Sequence, residues 1–369
     1  MIAVIADDLT GAAELGGIGL RHGLKTEIRT AVGTATDADL LVVAADSRSK
    51  SQIEAIAEMT QITRELRLLK PEWVYKKTDS VLRGHVMAEL RTHLENLDCR
   101  NALLIPANPS LGRTIRDGHY FLNGQPIHQS SFSIDPEFPV LSSDIQDMLH
   151  TKNQPVPIRK PREKLPVRGI IIGEATTAED LRAWAKNIPA HTLLAGAAGF
   201  FSAILDTQYP TVAAQLPTLT PPMLYISGST YEPNRNLIRQ QAANGGVAYI
   251  SDTSWQQKVL DDLKDHGKAI VAIQPIPQNL SALELRTAMA KDIAVILRKA
   301  KPAELLIEGG STAYAILQQM GWRRFVPEQE LAQGVVRMSV PDTPGLHITV
   351  KPGSYAWPPS IGFYNASTI

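Results

Sequence analysis

Several things that would set the class of this chain are scarce or missing. Cysteine occurs once, at Cys99, which excludes an internal disulfide and a cysteine-built zinc site and points to a reducing compartment. Net charge is zero, with 37 Lys plus Arg against 37 Asp plus Glu, so no overall field draws in nucleic acid or an anionic membrane. No apolar run approaches the roughly 20 residues a bilayer requires. The opening apolar run has no charged segment before it and stops at Asp7 and Asp8, so a signal peptide is not expected and a cytoplasmic location is. Two nucleotide signatures are also missing. There is no Walker A loop, and Gly16, Gly17 and Gly19 lie inside a helical pattern at the wrong spacing for a dinucleotide fingerprint.

What is present reads as two α/β domains with mostly parallel sheets around an interdomain cleft. A length of 369 residues suits two domains and a sizeable core. Strand-like runs at 1–6, 25–29, 40–44, 73–77 and 101–105 alternate with helical patterns at 12–21, 51–69 and 85–97. Such alternation predicts βαβ units. The pattern dissolves over 106–140, resumes at 169–172 and 192–195, and breaks again at Leu216–Met223, where Pro217, Pro221 and Pro222 cluster. A second series follows, with strands at 223–226, 247–250, 269–273 and 305–307 and helices at 232–244, 255–264, 281–299 and 311–320. Domains of 1–215 and 216–369 are expected, with a ligand between them.

The stretch Ile5-Ala6-Asp7-Asp8-Leu9-Thr10-Gly11-Ala12 organises the first half. It sets two carboxylates and a hydroxyl at the carboxyl end of a buried strand, the edge where open α/β sheets bind ligands. One aspartate there would suffice as a helix cap, and two exceed that need. Other constellations also follow strands. In Asp46-Ser47-Arg48-Ser49, Arg48 is either a surface arginine or a two-toothed carboxylate grip. Lys77-Thr78-Asp79-Ser80, running on to Arg83, offers cation, hydroxyl and carboxylate together. Gly112-Arg113-Thr114 with Asp117-Gly118-His119 is dense in polar groups, although its glycines also suit ordinary turns. Ala195-Gly196-Ala197-Ala198-Gly199 reads as close packing rather than a site. In the second half three glycine turns suggest a phosphate cradle: Ser227-Gly228-Ser229-Thr230, Gly309-Gly310-Ser311-Thr312 and Lys351-Pro352-Gly353.

Taken in order, Ala-Asp-Asp-Leu-Thr-Gly-Ala, Asp-Ser-Arg, Lys-Lys-Thr-Asp-Ser-Val-Leu-Arg-Gly, Gly-Arg-Thr with Asp-Gly-His, Asp135-Pro136 and the three glycine turns resemble the four-carbon acid sugar kinase family over nearly the whole chain. The chain departs from that pattern at Leu9, Thr230-Tyr231 and Tyr355-Ala356-Trp357. The resemblance implies an ATP-dependent kinase acting on 3-oxo-tetronate, threonate or erythronate, with Mg²⁺ arriving on ATP. It implies a sugar-acid domain holding Asp7, Asp8, Arg48, Lys77, Thr78, Asp79, Ser80, Arg83, Gly112 and Arg113. Asp8 or Asp79 is expected as the catalytic carboxylate, with Arg48 and Lys77 on the substrate's own carboxylate. It implies a nucleotide domain holding Ser227, Ser229, Gly309, Gly310, Ser311, Thr312 and Gly353. Alternatives are a non-catalytic two-lobed sugar-acid sensor, and a lyase or isomerase acting on the same acids. A homodimer is the commonest symmetric assembly for such a chain.

Overall fold

The computed structural model describes all residues except 136–137, 214–218, 229–231, 251, 274–281, 354 and 362–369. The expected break at Leu216–Met223 therefore lies partly outside the described residues, as do Ser229 and the first residue of the helix expected at 281–299. The chain forms two compact units. One comprises residues 1–26 and 30–212; the other comprises 27–29 and 213–369.

In chain order the first stretch gives β1 (Ile2–Ala6), α1 (Leu9–Arg21), β2 (Thr26–Arg29), β3 (Leu40–Ala44), α2 (Gln52–Leu68), β4 (Trp73–Lys77), α3 (Val86–Asn96) and β5 (Asn101–Ile105). The region that loses periodicity holds a small antiparallel sheet of β6 (Arg113–Arg116), β7 (His119–Leu122) and β8 (Gln125–Pro126), then the single-turn α4 (Ile145–Met148) and β9 (Ile158–Arg159). It closes with β10 (Gly169–Gly173), α5 (Ala178–Ala185), β11 (Thr192–Gly196) and α6 (Ala198–Leu205).

The main sheet of this unit runs β3-β1-β4-β11-β5-β10-β9, all parallel. Every residue of β1, β3 and β5 is buried, which is why these strands read as unbroken apolar runs. From β1 the chain goes first to β3 on one side and then to β4 on the other, so β1 and β4 flank a topological switch point. Helix α1 lies close to the sheet because it is rich in small residues. A Cβ on Gly19 would sit 2.5 Å from Leu40 Cδ2 and 2.6 Å from Thr26 Oγ1. Gly196 has φ +146°, and a Cβ there would fall 2.0 Å from the Ile105 carbonyl oxygen. That glycine serves strand packing, as its neighbourhood in the sequence suggests.

The second unit holds β12 (Met223–Ser227), α7 (Glu232–Ala243), β13 (Ala248–Tyr249), α8 (Trp255–His266), β14 (Lys268–Ala272), α9 (Ala282–Ala300), β15 (Glu304–Glu308), α10 (Gly310–Met320), β16 (Arg324–Ala332), β17 (Val335–Ser339) and β18 (His347–Lys351). Its strands run β13-β14-β12-β15-β18 in parallel and then turn antiparallel through β17 and β16. Ile28 and Arg29 of β2 pair with Phe325 and Arg324 of β16 and so belong to this unit. Here β12 and β15 are adjacent in the sheet, and the chain leaves β12 for β13 and β14 on its other side. This is again a switch point, with Ser227 and Gly309 at its two strand ends. Among the described residues, no helix is long and apolar enough to cross a membrane.

Candidate functional site

Strand register decides what meets at the first switch point. Ala6 is level with Ala44 on one side and Lys77 on the other, so the residues just beyond these three strand ends converge. Asp7 and Asp8 come from β1, Arg48 from the short turn Ser47–Ser49 after β3, and Thr78 and Asp79 from the loop after β4. Arg48 donates through Nε and Nη2 to Asp7 Oδ2 at 3.1 and 2.7 Å. Its Nη1 lies 3.3 Å from Asp8 Oδ2 and 3.5 Å from Asp79 Oδ1. One guanidinium thus gathers three carboxylates, which explains why Arg48 is not a surface residue.

The three aspartates differ in environment. Asp8 caps α1, accepting from the Gly11 N–H at 2.6 Å and from Thr10 Oγ1 at 3.1 Å. Burial works to raise its pKa, but Arg48, Lys77 and the Gly11 N–H together hold it below the usual range. Asp79 receives Arg83 as a two-toothed partner, Nε to Oδ2 and Nη2 to Oδ1, both at 2.9 Å. It also accepts from the backbone N–H groups of Val81 and Arg83 at 3.2 Å. Burial opposes its ionisation, and Arg83 and Arg48 overcome that, holding the carboxyl well below its ordinary value. Asp7 goes the other way. Burial dominates, Arg48 only partly offsets it, and neighbouring Asp8 adds repulsion, so its pKa is raised.

The remaining expected residues line the same strand ends. Lys77 Nζ donates to the Thr78 carbonyl at 3.0 Å and lies 3.9 Å from Glu14 Oε2. Arg83 also reaches Asp135 at 2.7 Å, and Arg113 donates to Ser80 Oγ at 2.5 Å. Phe132 bears both guanidinium groups, with Arg83 at 5.5 Å and Arg113 at 5.4 Å from its ring centre. Tyr120 donates from its hydroxyl to the Ser80 carbonyl. Gly112 shapes this wall rather than offering a side chain: its φ is +67°, and a Cβ would fall 1.8 Å from Asn123 Oδ1. His119 is exposed. Three buried polar atoms here, Asp7 Oδ1, Thr78 Oγ1 and Arg113 Nε, have no hydrogen-bond partner. Each such atom costs about 1–3 kcal/mol while it stays without a partner.

In the second unit, helix α10 opens at Gly309, whose φ is +102° and which supplies no side-chain cap. Gly310, Ser311 and Thr312 form its first turn. Gly228, after Ser227 on β12, packs so closely that a Cβ would sit 2.2 Å from Thr312 Oγ1. Glycine is therefore needed where the two turns meet, a geometry suited to backbone N–H groups that approach phosphate. The turn with Gly353 is held by Lys351, which the sequence singled out, and by Asn234 and Tyr225, which it did not. Buried Lys351 donates to the carbonyls of Pro352 at 2.9 Å and Tyr355 at 2.6 Å. Asn234 bridges Gly353 O and Glu308 Oε1 at 2.5 and 2.8 Å. Glu308 also accepts from Tyr225 at 2.5 Å and Trp357 at 3.1 Å, so the departure from the family pattern at Trp357 has a structural role.

Burial lowers the Lys351 pKa to about 8 against the opposing pull of Glu308, 3.5 Å away. Lys351→Met should lower stability by about 3 kcal/mol, since it strips a donor from two carbonyls and a counter-charge from a fully buried glutamate. A urea midpoint unchanged from wild type would contradict this.

Among the described residues no cluster of three His, Cys, Asp or Glu side chains is placed to hold a metal.

The match to known proteins covers both units. A family model described as a sugar-binding N-terminal domain matches residues 2–204. The D-threonate kinase of Salmonella typhimurium is 27% identical over 289 residues, covering 73% of this chain and 67% of that protein. The 3-oxo-tetronate kinase of Cupriavidus necator is 23% identical over 97% of this chain and 95% of its own length. Other matches, to proteins named 3-oxo-tetronate or D-erythronate kinase, span 42% of this chain and only 36–38% of theirs. A solved structure of a Haemophilus influenzae protein of the DUF1537 family has the same fold, with TM-score 0.71 and 17% identity over 98% of both chains.

Proposed function

The chain belongs to the four-carbon acid sugar kinase family, and from that premise we propose that it transfers the γ-phosphoryl group of ATP to a hydroxyl of a four-carbon sugar acid. The observation that carries this reading is the convergence of Asp7, Asp8 and Asp79 on Arg48 at the β1/β4 switch point. It sets carboxylates that can accept a proton beside Lys77, a cation that can hold an anionic substrate, in a unit matched by a sugar-binding model. The second unit would hold the nucleotide through the turns at Ser227, Gly309–Thr312 and Gly353. Ser229 belongs to the same proposal but lies outside the described residues. Mg²⁺ bound with ATP supplies neutralisation of phosphate charge. A cytoplasmic setting is part of the proposal and rests on the single cysteine.

Local geometry refines the roles expected from sequence. Asp79 is doubly bound by Arg83 and held strongly ionised, so it suits anchoring cations better than taking a proton. Asp8 has one oxygen committed to the α1 cap. Asp7, with its raised pKa and unpartnered Oδ1, is the better acceptor for the substrate hydroxyl proton. The alkoxide oxygen then bonds to the γ-phosphorus as the bond to the ADP oxygen breaks. Arg48 is occupied by these aspartates, which leaves Lys77 and Arg113 to meet the sugar acid's carboxylate.

The test is ADP release with Mg-ATP across D-threonate, L-threonate, D-erythronate and the two 3-oxo-tetronates, against a control without acid. Release that depends on one acid supports the reading and names the substrate. Acid binding without ATP binding would replace it with the sensor.

A further inference from the structure

Two lysines end β4, and strand alternation sends them to opposite faces. Lys77 lies beside the site, while Lys76 points away and is completely buried. Its ammonium pairs with Glu89 of α3 at 2.7 Å, with side-chain exposures of 0% and 3%, and lies 3.8 Å from Met59 Sδ. Replacing such a buried pair by apolar residues of similar size is often neutral or stabilising, so stability alone does not account for it.

The surroundings of Glu89 suggest another account. Burial works to raise its pKa, while Lys76 holds it low. Its backbone N–H donates to the His85 carbonyl at 2.9 Å. This end of α3 braces the turn that carries Arg48 in two ways. His85 Nε2 hydrogen-bonds the Lys50 carbonyl at 2.8 Å, and Gly84 packs so closely on Arg48 that a Cβ would lie 3.1 Å from Arg48 Cγ.

We propose that the Lys76–Glu89 pair is a positioning device that, by anchoring the start of α3 with His85 and Gly84, fixes the turn presenting Arg48 to Asp7, Asp8 and Asp79. The reach of this proposal to catalysis rests on the kinase reading above. The pair touches no reacting atom in that reading. Its charge also acts on Asp7, which faces Asp8 from its own strand end, Arg48 from the turn, and Lys76 and Lys77 from β4.

The double variant Lys76→Met with Glu89→Leu and the milder His85→Ala test the idea, with amide hydrogen exchange at residues 47–50 as the primary readout. Exchange there should quicken at least tenfold in the double variant, with the thermal midpoint unchanged or raised. His85→Ala should move exchange in the same direction by a smaller factor. Unaltered exchange in both variants overturns the proposal, as does a double variant that loses stability while His85→Ala leaves exchange unchanged. None of these outcomes depends on the reaction.

In acid-dependent ADP release, the double variant should show kcat lowered at least tenfold with a smaller rise in the KM for the acid. The acid limb of its pH profile should move upward, because Asp7 loses the Lys76 charge that favours its ionised form. Altered exchange with no acid-dependent release in wild type would refute the kinase reading and leave the positioning role standing.

Discussion

Arg48→Ala should be the most damaging single substitution in the first unit, lowering stability by about 3–5 kcal/mol, the cost of stranding buried charge. Asp79 keeps Arg83 and Asp8 keeps the Gly11 N–H, but Asp7 loses both of its described donors. The loss should depend on pH with a definite sign. Without Arg48, burial and Asp8 raise the Asp7 pKa further. A carboxyl whose folded pKa lies above its unfolded value contributes stability at low pH and loses it as pH rises through the folded value. Urea midpoints for wild type and Arg48→Ala should therefore lie closer at pH 5 than at pH 8. A gap that is equal at both, or wider at pH 5, would mean that Arg48 does not control Asp7. Turnover should fall at least about 10²-fold, since even a 1 Å misplacement of positioned groups costs that much.

Asp7→Asn should keep the fold and lower kcat by about 10²–10⁴-fold, the usual contribution of a general base. Shape is preserved, and Arg48 retains Asp8 and Asp79. In the wild type, protonation of Asp7 removes the acceptor, so kcat/KM should fall as pH drops through a value above the ordinary carboxylate pKa of 3.8. The residual activity of Asp7→Asn should lack that limb. Near-wild-type kcat, or an acid limb that survives the substitution, would return the role to Asp8 or Asp79. Asp8→Ala gives a useful contrast, because its first effect should be on the α1 cap, worth about 1 kcal/mol.

The elements that could be read in the sequence were those whose burial is uniform. β3 and β5 span the residues that their apolar runs delimit, and α2 begins at Gln52, just after Ser51, whose capping box with Glu54 fixes the start. The β6–β8 sheet and the β16–β17 hairpin did not emerge, because half-exposed antiparallel strands mix charge with apolar residues. β16, Arg-Phe-Val-Pro-Glu-Gln-Glu-Leu-Ala, even contains a proline. Helices α5 and α6 are only eight residues each, too short to show a period.

For the site, charged residues just past apolar strands marked Asp7, Asp8, Arg48, Lys77 and Asp79. Which carboxylate Arg48 takes was not legible, since Asp7 and Arg48 are 41 positions apart and meet only through β1–β3 register. Lys76 did leave a signal. Two successive lysines in a strand buried on both faces require one to lie inside, where it needs an acidic partner.

The excursion of residues 27–29 into the second unit limits how this protein can be dissected or made. Glu27 and Arg324 form an ion pair although 297 positions separate them, and both neighbours of that short segment in the chain belong to the first unit. No single cut yields two intact halves: a fragment ending at 212 carries three residues whose strand partner is missing, and one starting at 213 lacks an edge. During synthesis the segment leaves the ribosome long before β16 exists. That pairing therefore forms only when most of the chain has been made, a late and slow step of the kind that long sequence separation imposes.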